Sequence, residues 1–451
     1  MKLLGFGWFF AFFVVLTTGN MRWSLAAESV PLSSSVKGDA PDSGLTAATV
    51  FSTPIKIKSQ FRLRSEFREF TDTFGPRNLF LMRHRADLSF GPTQDVLVFV
   101  QPQFSKAFGD QINPVVPQAG KQTMQSTSGQ LFDPSLTMHQ AYVSYRMAPF
   151  FEFLGGRQIL SYGDEILVGG GLGWHNVGRS FDSLRGIFRY DLGSTELLGS
   201  KVVDLDAIGF SNTTGTSTND SDLFAVYNRW NFGPFFKETD WYWLYFVDKS
   251  KPGHSLAFST AGLRLKSSLK HLDYRAEVDY QAGILQHVAT SNNAYQVEVE
   301  AGYTVPDVIT TRVAWGGTTS SEDFNQLYAA AHKFLGTADV FARRNITAAL
   351  LKISHEMGDK WKLQNEVLRL FRTSPRNNVY QIRGFGSEVL GNAKSGSSDL
   401  GFELDSSLHY SLSKMVALLG GVSILFPGES LISQFGDSKP LLAFLQMEVK
   451  F

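Results

Sequence analysis

The sequence predicts an all-β protein, a transmembrane antiparallel up-and-down β-barrel of about 18 strands with long extracellular loops and short periplasmic turns. Three observations lead there. From Ile55 onward the chain alternates polar and apolar residues, the connections between these segments alternate short and long, and the last segment ends on an aromatic residue. In that segment, Pro440 to Phe451, the residues Leu441, Ala443, Leu445, Met447, Val449 and Phe451 share one parity. Gln446, Glu448 and Lys450 share the other. Successive side chains of a strand point to opposite faces, so this strand has an oily side and a wet side, as the closing strand of a barrel in lipid requires.

Composition narrows the classes. With 42 Lys+Arg against 42 Asp+Glu in 451 residues, the chain lacks the basic excess of a nucleic-acid binder. It has no Cys, which excludes disulfide frameworks and thiolate metal sites and suits passage through an oxidising periplasm. Its 38 Phe coexist with a mean hydropathy near zero, the average of a lipid-facing belt and a polar interior. A chain this long fills either two or three soluble domains or one large barrel.

Taken in order, Met1-Lys2 and the apolar run Leu3 to Leu16 resemble a secretory signal, with Ser24-Leu25-Ala26 as small residues for cleavage. Residues 1–27 are therefore expected to be a signal peptide, the alternative being an uncleaved anchor, although the run is short for a spanning helix. Residues 28–54, rich in Ser, Ala, Asp, Gly and Pro, are a flexible periplasmic lead-in, and 55–451 form the barrel. Arg62, Arg64, Glu66 and Arg68 oppose Phe61, Leu63 and Phe67, and Arg83, Arg85 and Asp87 oppose Ala86, Leu88 and Phe90. Asp273, Arg275, Glu277, Asp279 and Gln281 alternate with Leu272, Tyr274, Ala276, Val278 and Tyr280; Gln296, Glu298 and Glu300, and later Glu403 and Asp405, repeat the pattern. A Lys or Arg on lipid at the midplane costs about 2 to 4 kcal/mol, so the charged parity must face inward.

Turn chemistry at 91–93, 148–149, 191–193, 233–234, 306–307, 358–359 and 411–413 marks tight turns. The longer connections are 107–135, 161–179, 211–220, 319–345, 373–398 and 427–438. A sandwich or propeller would also alternate polar and apolar, but would not need its long loops at one end. Trp230 and the run Trp241-Tyr242-Trp243 fit an aromatic girdle at the bilayer edge better than a carbohydrate platform.

Several motifs resemble one family. The run GRQILSYGDEILVGG from Gly156 to Gly170, followed by Trp174 and Arg179-Ser180-Phe181-Asp182, is similar to the hallmark segment of alginate-export outer-membrane proteins. His332-Lys333-Phe334-Leu335-Gly336 with Asp339, Gly401 to Asp405, and Phe426-Pro427-Gly428 extend the resemblance over residues 55 to 451. It implies a barrel in the outer membrane of a Gram-negative-type bacterium, narrowed by inward loops to an arginine-rich constriction through which an anionic polysaccharide leaves the cell. The partners it implies are that polysaccharide or a small anionic solute, outer-membrane lipids, and periplasmic export components.

Inward parity offers Arg62, Arg64, Arg83, Arg85, Arg185, Arg189, Arg264, Lys266 and Arg312 as pore-lining cations. Arg157 joins them if Gly155-Gly156 forms a bulge that switches the face; otherwise it belongs to the rim. Guanidinium groups pair two carboxylate oxygens at once, which suits a polyuronate. The inward acids, Glu277 to Asp405, crowd the second half of the chain and the Arg residues the first, implying a field across the lumen. The bland alternative is that these charges only brace the wall. Gly169-Gly170-Gly171 lacks the Lys-Ser/Thr and helix of a phosphate cradle and reads as a loop hairpin. No Gly-x-Ser-x-Gly elbow and no His spacing for a metal occur, so no catalytic residue, cofactor or metal is expected. The function expected is an anionic-saccharide channel, with a small-anion porin as the alternative and an outer-membrane enzyme a distant third.

Overall fold

Eighteen antiparallel strands close into one barrel. The computed structural model describes residues 49–50, 53–69, 77–109, 135–171, 173–202, 221–251, 254–285, 291–383, 386–391, 396–436 and 438–451. The expected signal at 1–27, most of the lead-in, and the connections 110–134 and 203–220 lie outside them. The strands are β1 (Lys56–Glu69), β2 (Arg77–Phe90), β3 (Val96–Gly109), β4 (Ser135–Ala148), β5 (Phe151–Gln158) and β6 (Phe181–Tyr190). Next come β7 (Gly193–Val202), β8 (Ser221–Trp230), β9 (Glu238–Lys251), β10 (His254–Leu269), β11 (Leu272–Leu285) and β12 (Ser291–Val305). β13 (Ile309–Ser320), β14 (Thr347–Met357), β15 (Trp361–Phe371), β16 (Asp399–Ser411), β17 (Val416–Pro427) and β18 (Leu441–Lys450) complete the ring.

The ring closes where the sequence said it would. β18 pairs with β1 from Leu441↔Glu69 to Lys450↔Gln60, and Phe451 and Ser59 exchange backbone hydrogen bonds of 3.0 and 2.7 Å. Closure removes every sheet edge, which a bilayer demands because lipid cannot satisfy an open N–H or C=O. Each expected tight turn joins two strands at the end where the chain terminates. One turn was not legible: Lys270 takes φ +52 in the two-residue connection from β10 to β11 without a Gly or Asn to mark it. Among the described residues, the long connections 161–179, 319–345, 373–398 and 427–438 emerge at the other end, and 373–398 carries a small hairpin of its own, Val379–Arg383 against Gly386–Gly391.

Charged parity points inward, as the cost of charge on lipid requires. Glu277, Asp279, Gln296, Glu298 and Glu403 are buried, while their neighbours Val278, Tyr280, Tyr295, Val299 and Phe402 are exposed. Two corrections follow. The inner surface is not polar throughout: Leu223, Leu244, Phe246 and Phe258 also point in and pack against residues of two long loops, so the hydrophobic core lies inside the barrel. And Tyr242, unlike its exposed neighbours Trp241 and Trp243, faces inward and stacks on Tyr227 at 5.1 Å, so only the two Trp of that run can serve a girdle.

Candidate functional site

The site begins with two adjacent strands. Arg62 on β1 lies directly opposite Arg83 on β2, and Arg64 and Arg85 flank them; all four are at most 3% exposed. Like charges facing each other across a ladder repel, so something must supply electron density to four guanidinium groups. Glu66 supplies part, its Oε1 lying 2.6 Å from Arg64 Nε. Side-chain amide oxygens of Gln60, Gln103 and Asn176 add to it, and the main chain of loop 159–180, which turns into the lumen, reaches all four. Arg64 donates to the Trp174 carbonyl at 2.8 Å, Arg62 and Arg83 to that of His175 at 2.9 and 3.0 Å, and Arg85 to that of Val177 at 2.7 Å.

The other end of the same loop is fastened across the lumen. Asp164 accepts from Arg264 at 2.9 Å and from Lys266 at 2.8 Å, both on β10. Burial raises the Asp164 carboxyl's pKa, but these two cations outweigh it and hold the group down to about 2. In a ring of 18 strands β1 and β10 are half a turn apart, so loop 159–180 spans the full width of the barrel.

Loop 321–346 fills much of the remaining section and takes its anchors from the acidic wall. Arg343 donates to Glu298 at 2.8 Å, Thr318 at 2.5 Å and Gln296 at 3.1 Å. The backbone N–H groups of Ala338 and Thr337 donate to Glu403 and Asp405 at 2.9 and 3.0 Å. The charge asymmetry legible in the sequence thus holds two different loops: cations bind the carbonyls of one, and carboxylates bind the amides and Arg343 of the other.

The two loops are also joined to each other. Val168 and Tyr328 form a parallel bridge, with Tyr328 N donating to Leu167 O at 2.8 Å. Arg179, buried so that its pKa falls to about 10, donates to the carbonyls of Tyr328 and, at 2.8 Å, Ala329. Lys333 pairs with Glu165 at 2.5 Å, and the Trp174 and His332 rings stack at 3.8 Å and 9°. Ile166, Leu167, Phe324 and Tyr328 give this joint an apolar centre.

Beneath the joined loops, toward the turn end, lies a cavity of about 430 Å³ bordered by Asp164, Lys266, Arg275, Arg312, Lys333 and Lys352, among others. The candidate residues therefore fall into four groups. Arg62, Arg64, Arg83 and Arg85 hold a loop; Arg264 does the same from the far wall. Lys266 and Arg312 border the cavity, Arg312 also pairing with Asp273 at 2.9 Å. Arg185 and Arg189 are tied to Glu196 and Glu152 at 2.8 and 2.6 Å along the wall. Arg157 is a correction: pairing of β4 with β5 runs unbroken through Gly155 and Gly156, so no bulge forms there and Arg157 stays on the outer face, 2.9 Å from Asp182.

Sequence reasoning missed Arg343 and Lys352, put Arg275 on the inward parity without counting it among the pore-lining cations, and gave no role to Arg179, Trp174 or His332 although all three stand in the quoted motifs. Periodicity could not find Arg343, Arg179, Trp174 or His332, because a loop has no parity to read.

The family described as alginate export matches residues 54–441. Among solved structures, the chain is similar to OccAB2 of Acinetobacter baumannii, with TM-score 0.62 and 10% identity over 88% of this chain and 98% of that one. It is similar to the outer membrane protein opdK of Pseudomonas aeruginosa, with TM-score 0.58, 10% identity and the same coverages, 88% and 98%. A BenF-like porin from Pseudomonas fluorescens Pf-5 follows at TM-score 0.55 and 12% identity, again over 88% and 98%. At such identities the likeness is one of fold. No curated protein sequence matches the chain. Family and fold are those of outer-membrane transport channels. A ring of 18 strands and a family match across nearly the whole barrel lead to one statement: the chain belongs to the alginate export family.

Proposed function

We propose that this chain is an outer-membrane channel that carries an anionic saccharide, polymer or oligomer, outward through a lumen lined on one side by Arg62, Arg64, Arg83 and Arg85. The observation that carries this reading is the identity of their partners. All four donate to backbone carbonyls of a loop, and Arg64 also pairs with Glu66. A carbonyl is a weaker acceptor than a carboxylate, so a polyuronate can compete for these donors when the loop moves. Passage then needs binding weak enough to release at each step, which the carbonyls provide by returning. On this reading the amino-terminal signal delivers the chain to the Gram-negative outer membrane, the long connections face outside, and the turn-end cavity receives substrate from the periplasm or its export components.

The cavity favours a second reading. At about 430 Å³ it has the size of a small-solute site, which suits a porin for small organic anions. Current through single channels in a planar bilayer separates the two. Block by micromolar polyuronate added at the turn side supports the saccharide path, whereas undiminished flow of small anions in its presence removes it and leaves the porin.

A further inference from the structure

Trp174 is the meeting point of three elements. The Arg64 guanidinium of β1 lies 3.9 Å from its ring centroid. The His332 imidazole of loop 321–346 stacks at 3.8 Å and 9°, and Phe444 of β18 meets it edge-on at 5.0 Å and 79°. His332 Nδ1 is 3.0 Å from the Asp339 carboxylate, and Asp339 adopts φ +59, a backbone conformation disfavoured for any residue with a Cβ. The Asp339 carboxylate interacts electrostatically with both Arg64 and Arg68. Trp174 Nε1 and Arg64 Nη2 are buried donors with no acceptor among the described residues. A buried donor left without an acceptor is costly, so two at one stack indicate a place made for another partner.

His332 and Asp339 together present a flat ring on an indole face and a carboxylate toward guanidinium groups. A hexuronate presents the same pair of features: the C–H face of a pyranose ring, which stacks on Trp, and a carboxylate at C5, which pairs with Arg. Its hydroxyls and carboxylate oxygens can also accept from the two orphaned donors. We infer that His332 and Asp339 act as a built-in stand-in for a hexuronate residue, occupying its subsite on Trp174 and Arg64 until a uronate-bearing chain displaces them. This rests on the saccharide reading above and adds to it a specific subsite and a coupling. Because the stack is one of the contacts that join loop 321–346 to loop 159–180, the ligand that takes the place of His332 also weakens the joint between the two loops. A neutral sugar has the ring without the carboxylate, and a small inorganic anion the charge without the ring, so neither competes at both points.

The test is equilibrium binding of fluorescein-labelled oligogalacturonate to the detergent-solubilised full mature chain, read by polarisation, with neutral labelled dextran as control. Removing an internal competitor raises apparent affinity by the reciprocal of the fraction of protein it had left free, so a competitor present nine-tenths of the time costs about tenfold. His332→Ala is expected to bind the oligogalacturonate about tenfold more tightly than wild type and Trp174→Ala about tenfold more weakly, with dextran unbound by all three. The chain has no native Cys, so a disulfide in a Val168→Cys/Tyr328→Cys variant is the only one it can form, and it pins the two loops at their bridge. Oxidised, that variant is expected to lose binding; reduced, to regain it. Equal affinity in wild type and His332→Ala, or in the oxidised and reduced pair, overturns the stand-in while leaving polyuronate block of the channel intact. Absence of binding by every form overturns the stand-in as well, and with it the saccharide reading.

Discussion

Arg179 gives the sharpest test of the joined loops. Replacing it by Ala leaves the Tyr328 and Ala329 carbonyls without their charged donor inside the apolar joint. Burial lowers the Arg179 pKa only to about 10, so the side chain is protonated at neutral pH and these are charge-assisted bonds. Each such bond contributes about 1.5 to 3 kcal/mol, and a third contact, to Gly169 O at 3.4 Å, is too long to add much. Two bonds at the low end give about 3 kcal/mol, equal to about 150-fold in the equilibrium between joined and parted loops. Single-channel recordings of Arg179→Ala should therefore show a large increase in time spent conducting, with Arg179→Lys in between because it restores charge but not the forked geometry. The barrel itself should be untouched, as judged by its β-sheet circular dichroism and its resistance to SDS without heating. An Arg179→Ala channel that folds and conducts exactly as rarely as wild type would refute the argument.

Two further outcomes follow from the anchors. The Asp164 carboxylate has its pKa depressed from 3.8 to about 2, so its contribution is present above the unfolded value and is lost as pH falls toward the folded one. Wild-type conductance should hold steady at neutral and mildly acid pH and rise between about pH 4 and pH 2, whereas Asp164→Asn should already be raised at pH 7 and lack that step; a wild-type profile in the variant would contradict the anchor. The double variant Arg64→Ala/Arg85→Ala removes donors to Trp174 and Val177, so total conductance should increase while anion-over-cation selectivity drops. Unchanged current together with an unchanged reversal potential in a salt gradient would show that neither guanidinium holds the loop nor faces the pathway.

Most of the barrel was legible because lipid imposes one rule on every strand. Charge must point in, and a period of two then fixes the parity of Glu277, Glu298 and Glu403 without any knowledge of their neighbours. The closing pairing of β18 with β1 was legible for the same reason, from Leu441 to Phe451. What failed was anything that depends on contacts between distant segments. That Arg62 and Arg83 face backbone carbonyls is invisible in sequence, since every residue type carries the same carbonyl. The choice left open for Arg157, inward by a bulge or on the rim, falls against the bulge, because glycine permits one without requiring it: Gly156 takes φ +127 with its would-be Cβ 2.3 Å from Ala141 O, a close approach of backbones and not a change of face. Leu223 and Phe246 point inward against the polar-lumen expectation because the loops above them supply an apolar surface that no strand-by-strand reading contains.

A loop clamped at both ends of a diameter is a tie-beam. While Asp164 is held on β10 and residues 174–177 on β1 and β2, the tube cannot flatten into an oval along that line without stretching the beam. On the proposed function, releasing it for transport would also release the cross-section, so lateral pressure in the surrounding bilayer would become a second input to opening, and a stiff or thick membrane would be felt at a point far from any lipid.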